Sequence, residues 1–268
     1  MAYSETVVVF GGGNVAQQLV KRLISVDYPR QVQLFTRNNV KLNEFLAQYR
    51  TVESIDTLEA VDKRASLYIV AIKDDAIAAF AKQLAAFLPK NAFIVHTSGS
   101  VASHVFEPYF HVYGVLYPLQ SISKQVQLDW QDVPLCLYLN KEDANTEKKA
   151  LLEVATALTP RIFWVNDAQR ATLHLAAVFA NNFVNHLFGV AETICEQQNL
   201  SFDILRPLIA ETARKVQTTS PATVQTGPAV RNDTETINRH LSHLAQAPDA
   251  LLSEIYQLLS KHIQHSKP

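Results

Sequence analysis

Residues 6–16 read TVVVFGGGNVA, a β-branched run that ends at three consecutive glycines. The whole chain has only seven glycines, so this concentration needs a reason. The spacing Gly11-x-Gly13-x-x-Ala16 matches the loop that joins the first strand to the first helix in dinucleotide-binding folds. The first glycine permits a tight turn, the second admits a pyrophosphate, and Ala16 keeps the helix close to the strand. A tight turn without a ligand is the alternative interpretation.

The segment after the second predicted strand indicates which cofactor this loop would bind. An NAD site usually has Asp or Glu there to bond the ribose hydroxyls, whereas this chain has Thr36-Arg37-Asn38. Asp27 is acidic but precedes the strand. Arg37 can form a bidentate pair with a 2′-phosphate and stack on adenine, so NADP(H) is favoured over NAD(H). A solvated Arg37 is the alternative.

The predicted cofactor-binding residues belong to the glycine loop and to the ends of neighbouring strands. They are Gly11, Gly12, Gly13, Asn14, Val15, Ala16, Thr36, Arg37, Asn38, Ile72, Lys73 and Thr97.

The hydrophobic pattern predicts an α/β protein with a doubly wound, parallel, Rossmann-type sheet. Strands are expected over 6–10, 32–36, 67–72, 93–97, 112–116, 135–139 and 162–165, and helices over 15–24, 42–49, 76–88 and 142–158. This alternation is typical of parallel βαβ units. Only helical patterns follow, over 168–198, 201–217, 233–246 and 249–264. We therefore predict a dinucleotide-binding domain over 1–165 and an all-helical substrate and dimerisation domain over 166–268.

The bulk composition excludes several classes of partner. The formal net charge is -1 and no run of five like charges occurs, which argues against nucleic acid or an acidic membrane surface. The N-terminus does not match a signal peptide, and the apolar segment 173–194 is too polar for an unassisted membrane span. Cys136 and Cys195 form no Cys-x-x-Cys pair. We expect a cytoplasmic protein with reduced cysteines and no metal site.

Polar residues follow three later strands, at the edge where ligands bind to open parallel sheets. Lys73 either faces the nicotinamide or the substrate, or it is simply exposed, and the neighbouring Asp74 is expected to cap the next helix. Ser98, in HTSGS, and Gln120, in YPLQS, are predicted to contact a substrate. Hydroxyl-rich turns without a function are the alternative for Ser98.

The long helix over 168–198 is apolar nearly all round, so we expect it to be buried, partly against a second subunit. His174, Asn181 and Asn185 lie within about 40° of one another at α-helical spacing. His174 is the candidate acid or base because its ordinary pKa is near neutrality. Lys73 and Asn181 complete the predicted catalytic group, with Asn185 as a substrate contact. Hydrogen bonds to neighbouring helices are the structural alternative.

The loop TGPAVRND over 226–233 precedes a predicted helix. Arg231 either holds an anionic group of the substrate or pairs with a carboxylate across a subunit interface. Asn232 with Glu235 fits a capping arrangement.

Six segments carry a resemblance that runs over nearly the whole chain: GGGNVA, LYIVAIKDDAI, HTSGS, YGVLYPLQSIS, LHLAAVFANNFVNHL and TGPAVRND. They resemble a family of NADP oxidoreductases that combine a Rossmann-like N-terminal domain with a helical C-terminal domain of unknown function. The first domain is similar to pyrroline-5-carboxylate reductases and deazaflavin-dependent NADP reductases. The resemblance implies an NAD(P)-linked oxidoreductase, often dimeric, without implying a particular substrate.

The layout also resembles the wider β-hydroxyacid dehydrogenase group, whose long helix carries an acid/base lysine three residues before a paired asparagine. Here the pair is Asn181-Asn182 and the earlier position is Val178. The acid/base lysine on which a hydroxyacid dehydrogenase mechanism depends is therefore absent from this sequence.

Two main functional hypotheses follow. The first is an NADP-dependent oxidoreductase that transfers a hydride between the nicotinamide and a small C=O or C=N substrate bound between the domains. The alternative is a non-catalytic NADP(H)-binding or redox-sensing dimer. A third is a structural dimerisation module with a vestigial nucleotide site. In each case a homodimer through the C-terminal helices is expected.

The cofactor assignment predicts the behaviour of Arg37→Ala. The loss of a charge-assisted hydrogen-bonded pair should weaken NADPH binding by roughly 10- to 100-fold and leave NADH binding nearly unchanged. Calorimetric titration with each cofactor measures both constants, and Asp27→Ala serves as a control that should alter neither. An unchanged preference for NADPH over NADH in Arg37→Ala would show that this assignment is wrong.

Overall fold

The computed structural model describes residues 4–29, 31–36, 49, 51–123, 128–247 and 249–266. Arg37, Asn38 and all but the last residue of the helix predicted over 42–49 lie outside the described residues.

One sheet of eight strands forms the centre of the N-terminal part. The strands are β1 Ser4–Phe10, β2 Gln31–Phe35, β3 Val52–Ile55, β4 Ala65–Val70, β5 Phe93–His96, β6 Val112–Pro118, β7 Leu135–Leu139 and β8 Ile162–Trp164. Their order is β3-β2-β1-β4-β5-β6-β7-β8. Neighbouring strands are parallel from β3 to β6 and again between β7 and β8. The predicted doubly wound Rossmann-type sheet is therefore confirmed.

Two features of the sheet differ from the sequence-based prediction. β7 is antiparallel to β6, with Gly114 opposite Leu139, because an apolar run indicates a strand but not its direction. The short strand β3 was not predicted, since its four residues VESI include only one that is fully buried.

The α-helices are α1 Asn14–Ser25, α2 Ile77–Leu84, α3 Asn145–Leu158, α4 Asp167–Ala177, α5 Val184–Glu196, α6 Arg206–Val216, α7 Pro221–Val224, α8 Pro228–Arg231, α9 Thr234–Leu244 and α10 Leu251–His265. A π-helix, Val178–Phe183, separates α4 from α5. Short 3-10 helices occupy Leu58–Ala60, Asp74–Ala76, Ser103–Phe106, Trp130–Asp132 and Phe202–Ile204. Among the helices that the structure describes, none combines the length and the apolar character needed to cross a membrane.

The central strands are buried on both faces of the sheet, which explains their continuous apolar runs. Along β1, Val7 and Val9 pack into the core cluster that α1 and α3 cover. Val8 and Phe10 point to the other face and pack into the cluster that α2 covers. The sheet is thus the middle layer of three.

Contacts divide the chain into two compact units, Met1–His186 and Leu187–Pro268. Among the described residues of the second unit, all regular secondary structure is helical, as predicted for the C-terminal part. Asp233 is the N-cap of α9, and its carboxylate accepts a hydrogen bond from the Thr236 backbone N–H at 3.1 Å. The predicted cap at Asn232 is wrong by one residue, because Asn232 adopts a left-handed conformation with φ of 55°. The predicted domain boundary after residue 165 stays a prediction.

The glycine loop begins at a point where backbone segments come very close together. Gly11 has a φ of 130°, and its N–H donates to the Phe35 carbonyl at 2.9 Å. A Cβ added at Gly11 would lie 2.2 Å from the carbonyl oxygen of Ala71. By contrast, a Cβ at Gly13 would meet no heavy atom within 4 Å. Gly11 is therefore required by the fold, whereas Gly13 leaves open space beside the start of α1.

This difference predicts separate consequences for two alanine substitutions. Gly11→Ala should lower the free energy of unfolding by about 2–4 kcal/mol, since the backbone conformation and the contact with Ala71 both oppose a side chain. Gly13→Ala should cost at most about 1 kcal/mol, the typical loss at a helix N-cap, while weakening NADPH binding. Urea denaturation followed by circular dichroism measures the first effect and calorimetry the second. Equal losses of stability in the two variants would contradict this interpretation.

Candidate functional site

The carboxyl ends of β1, β4, β5 and β6 meet at one edge of the sheet because these strands are parallel. Chain order reverses between β1 and β4, which lie side by side at the centre. Ligands of open α/β sheets bind at such a reversal, just beyond the strand ends. The glycine loop that follows β1 occupies this position.

The geometry of the glycine loop fits a pyrophosphate. Among the described residues, no side chain caps the N-terminus of α1, so its first backbone N–H groups are available to an anion. Asn14 Nδ2 donates to the Ile122 carbonyl at 3.1 Å, and Gln17 Nε2 donates to the Gly12 carbonyl at 2.8 Å. These bonds attach the glycine loop to the segment after β6 and to the first turn of α1, and Gly13 leaves space for a ligand beside the loop.

The other described residues of the predicted cofactor site also follow strand ends. Thr36 is buried after β2, and its N–H donates to the Ile55 carbonyl at 3.1 Å. Thr97 is half-buried after β5, and Ile72 is half-buried after β4. Lys73 is exposed.

A cavity of about 400 Å³ opens beside the glycine loop, entirely within the first unit. Its lining comes from the start of α1, the ends of β5 and β6, helix α4 and the π-helix. The lining residues are Val15, Thr97, Tyr117, Pro118, Leu119, Gln120, Ser121, Ile122, His174, Ala177, Val178, Asn181 and Asn182.

A tyrosine–histidine pair lies on the wall of this cavity. The Tyr117 hydroxyl is 3.1 Å from His174 Nδ1, and the two rings meet edge to face at 6.0 Å. A Cβ added at Gly99 would lie 2.5 Å from His174 Nδ1 and 2.7 Å from Tyr117 Cζ. Gly99 therefore allows the loop after β5 to pass close to both rings.

Burial and the neighbouring Cys136 raise the pKa of Tyr117 to about 12, although the positive charge of Arg170 partly opposes them. Its hydroxyl therefore stays protonated at neutral pH and can donate to His174 Nδ1. Sequence reasoning did not select Tyr117, although it chose Gln120 from the same YPLQS segment. The available signal was a tyrosine at the very end of a buried strand.

The π-helix changes which amides face the cavity. The predicted polar stripe of His174, Asn181 and Asn185 assumed unbroken α-helical spacing. A π-turn adds about one residue to the helix and turns all later side chains back by about 100°. Accordingly Asn182 lines the cavity together with Asn181, whereas Asn185 is not among the lining residues. The predicted role of Asn185 in substrate binding stays a prediction.

The remaining candidate residues lie in different surroundings. Ser98 is buried, and its Oγ accepts hydrogen bonds from the backbone N–H groups of Ser100 and Val101 at 3.1 and 3.0 Å. Gln120 is exposed at the cavity, with its Oε1 accepting from its neighbour's N–H at 2.8 Å. Arg231 is exposed in the second unit.

Asp74 does not cap the helix after it, so that expectation is wrong. The 3-10 helix Asp74–Ala76 has no side-chain cap, and Asp74 Oδ2 instead accepts a hydrogen bond from Ser100 Oγ at 2.6 Å. This bond joins the ends of β4 and β5 at the ligand edge.

His96 lies beneath this loop, fully buried at the end of β5. Its Nδ1 accepts a hydrogen bond from the Ser98 N–H at 3.2 Å. Burial and then the nearby charge of Arg170 lower the pKa of His96 to about 4, despite opposing effects from Asp167 and Asp74. His96 is therefore neutral at pH 7 and serves the loop as a hydrogen-bond acceptor.

Two family models match the chain. The model for coenzyme F420-dependent NADP oxidoreductases matches residues 6–99, and the model for DUF2520, a domain of unknown function, matches residues 137–263. A search of curated proteins finds no match.

Several solved structures are similar to this chain over its whole length. A Bacteroides fragilis protein described as a putative NADP oxidoreductase is 37% identical, with 98% of each chain covered and a TM-score of 0.86. A pyrroline-5-carboxylate reductase from Coxiella burnetii is 16% identical, with 98% of each chain covered and a TM-score of 0.61. A reductive aminase from Aspergillus terreus, solved with NADPH and ethyl levulinate, is 12% identical, with coverages of 100% and 95% and a TM-score of 0.68.

The depressed pKa of His96 predicts a loss of stability in mild acid. The unfolded chain takes up a proton near pH 6.5, whereas the folded chain resists it until about pH 4. The stabilisation is thus complete above about pH 6.5 and falls by about 3 kcal/mol as the pH drops to about 4. Urea denaturation at several pH values measures the change.

The matched variants for that measurement are His96→Gln and His104→Gln. A glutamine at position 96 can still accept from the Ser98 N–H but cannot titrate, so this part of the acid sensitivity should disappear. His104 is exposed, and its replacement should leave the sensitivity intact. An identical pH dependence in the wild type and both variants would rule out the assignment to His96.

Proposed function

We propose that this chain, which belongs to the family of NADP oxidoreductases with a DUF2520 C-terminal domain, reduces a small C=N or C=O substrate in the cavity beside the glycine loop. Its cofactor is NADP(H). The observation that carries the proposal is the Tyr117–His174 pair, which lines the same cavity as Val15 of the glycine loop. A potential proton donor thus stands beside the position expected for the nicotinamide.

The residues of the glycine loop would hold the pyrophosphate, with Gly13 leaving room and the start of α1 supplying N–H groups. Thr36, Arg37 and Asn38 would surround the adenine ribose and its 2′-phosphate. Ile72, Thr97 and Lys73 would lie toward the nicotinamide. When bound, NADPH supplies a hydride to the carbon atom of the substrate's double bond.

His174 would supply the matching proton to the nitrogen or oxygen of that bond. The protonated Tyr117 hydroxyl donates to Nδ1, which leaves the imidazole proton on Nε2 for the substrate. The carbon would gain the hydride and the heteroatom would gain the Nε2 proton, while the Tyr117 hydroxyl proton would pass to Nδ1, so that the imidazole stays neutral and Tyr117 recovers its proton from water. Asn181, Asn182 and Gln120 would orient the substrate through their amide groups.

Three of the predicted site residues contribute less directly to this proposal. Ser98 would shape the loop rather than bind substrate, since two backbone N–H groups already occupy its Oγ. Asn185 is not among the residues that line this cavity, and Asn185 and Arg231 stay candidate substrate contacts.

The fold shared with a reductive aminase and a pyrroline-5-carboxylate reductase agrees with a C=N substrate, although a shared fold fixes no substrate. A non-catalytic NADP(H)-binding or redox-sensing dimer is the second candidate. The observation that favours it is Val178, an apolar side chain on the cavity wall at the position where the β-hydroxyacid dehydrogenase group has a lysine.

We also infer a homodimer formed through the helical part of the chain. Leu175, Phe179 and Phe183 follow one another at four-residue spacing and are 60%, 62% and 49% exposed in the single chain. Exposed apolar side chains in such a row are typical of a subunit interface. The particle mass in solution tests this inference. A cytoplasmic location stays a prediction.

The catalytic proposal predicts the effects of three substitutions. His174→Gln should lower kcat by about 100- to 10,000-fold, the usual contribution of a general acid, with NADPH binding changed less than about twofold. Tyr117→Phe should lower kcat by roughly 10-fold, because the imidazole loses the partner of Nδ1. The exposed His111→Gln is the control and should leave kcat unchanged.

The measurement is substrate-dependent oxidation of NADPH across a panel of small imines and ketones, with calorimetry for cofactor binding. Tight NADPH binding without turnover of any compound in the panel would favour the non-catalytic alternative. Turnover that survives His174→Gln at the wild-type rate would show that another group supplies the proton.

A further inference from the structure

Arg170 is a buried cation on the same helix as His174, one turn earlier. Only 1% of its side chain is exposed. Arginine side chains are almost never buried to this extent unless they are paired with a charged group. Its Nη1 donates to Asp167 Oδ1 at 2.6 Å, and its Nη2 donates to the Val101 carbonyl. The guanidinium thus connects α4 to the segment that follows the HTSGS loop.

Asp167, the first residue of α4, makes the second half of this connection. Its Oδ2 accepts hydrogen bonds from both the backbone N–H and the Oγ of Ser103, at 2.8 and 2.9 Å. Burial would raise the pKa of Asp167, but the hydrogen bonds from Arg170 and Ser103 outweigh it and hold the pKa below its usual value. The carboxylate is therefore charged at neutral pH, and both ions have partners on segment 101–103.

Segment 101–103 continues directly from the loop that touches the candidate catalytic pair. Ser98 Oγ accepts from the N–H groups of Ser100 and Val101, so the loop and the segment form one hydrogen-bonded unit. Gly99 in that loop stands against His174 so closely that a Cβ would lie 2.5 Å from Nδ1. His174 belongs to α4 and Gly99 to the loop after β5. Arg170 and Asp167 connect α4 to the segment that continues from this loop.

We propose that Arg170 is a positioning residue that, together with Asp167, fixes α4 against the loop after β5 and so sets His174 in register with Tyr117. The hydrogen bond between the two rings tolerates little movement, since a separation of about 1 Å more would abolish it. Misplacement on that scale is known to cost roughly 100-fold in rate. This inference deepens the proposed function, on which its kinetic part rests.

The choice of variants follows from the burial of the ion pair. Removing one charge alone would strand the other in the interior and could unfold the protein, so single neutral variants test folding rather than position. Arg170→Lys keeps the charge but replaces the planar fork with a point donor that cannot reproduce both bonds. Arg170→Met combined with Asp167→Asn removes both charges at once.

The kinetic experiment measures kcat, KM and the NADPH Kd of the full-length variants. Both Arg170→Lys and the double variant should lower kcat by about 10- to 100-fold, with the NADPH Kd changed less than about twofold. Arg214→Lys is the matched control, because Arg214 forms an exposed pair with Glu211 at the same three-residue spacing. It should change none of the three constants.

A second readout does not depend on turnover. Nitrogen NMR of histidine-labelled protein reports the hydrogen bond at His174 Nδ1, with His174→Gln assigning the signal. That signal should shift in both Arg170 variants and stay in place in Arg214→Lys. If the wild type turns over no substrate but the signal shifts, the positioning role holds while the proposed function fails.

Ser103→Ala covers the case in which the Arg170 variants do not fold. It removes one of the two bonds to Asp167 and keeps the backbone N–H, so it should shift the same signal by a smaller amount. An unmoved His174 signal in every folded variant, with kcat unchanged, would overturn the positioning role of Arg170.

Discussion

The ends of β1 and β4 approach each other closely where Gly11 faces the Ala71 carbonyl, with no space for a side chain. The shape of the glycine loop and the position of the cavity beside it depend on this contact. Because β1 ends against its neighbour, the chain must turn sharply before α1 begins, and the turn leaves Gly13 open beside the helix N-terminus. The glycine loop is therefore shaped by the fold first and made available to a pyrophosphate as a result. Gly99, in the loop after β5, is likewise a position without space for a side chain, because the rings of His174 and Tyr117 occupy the place of its Cβ.

The sequence predicted the parts of the structure that local chemistry determines. TVVVFGGGNVA indicated the first strand, the turn and the helix because each depends on residues within one short stretch. The buried strands β4, β5 and β6 were predicted for the same reason, since a strand covered on both faces is apolar along its length. His174 was found through its spacing with Asn181, and the two do line one cavity.

What the sequence did not predict depends on contacts between distant segments. The direction of β7, the hydrogen bond between Tyr117 and His174 and the bonds of Arg170 to Val101 join residues that are far apart in the chain. The π-helix is a different case. No residue type specifies it, yet it decides that Asn182 rather than Asn185 lines the cavity. Sequence spacing predicts which side chains share a face of a helix only where the number of residues per turn stays constant.

The π-helix also bears on the lysine that the β-hydroxyacid dehydrogenase group would place at Val178. Val178 is the first residue of the π-helix, and His174 lies four residues earlier on α4, where the spacing is still α-helical. Residues four apart in an α-helix share a face, and both side chains line the same cavity. In the proposed function, the acid/base group therefore lies one turn before the position of that lysine, and it is an imidazole rather than an ammonium. An imidazole in that place needs a partner to fix its tautomer, which Tyr117 supplies, and a support to hold its ring, which the inferred role of Arg170 would supply through α4.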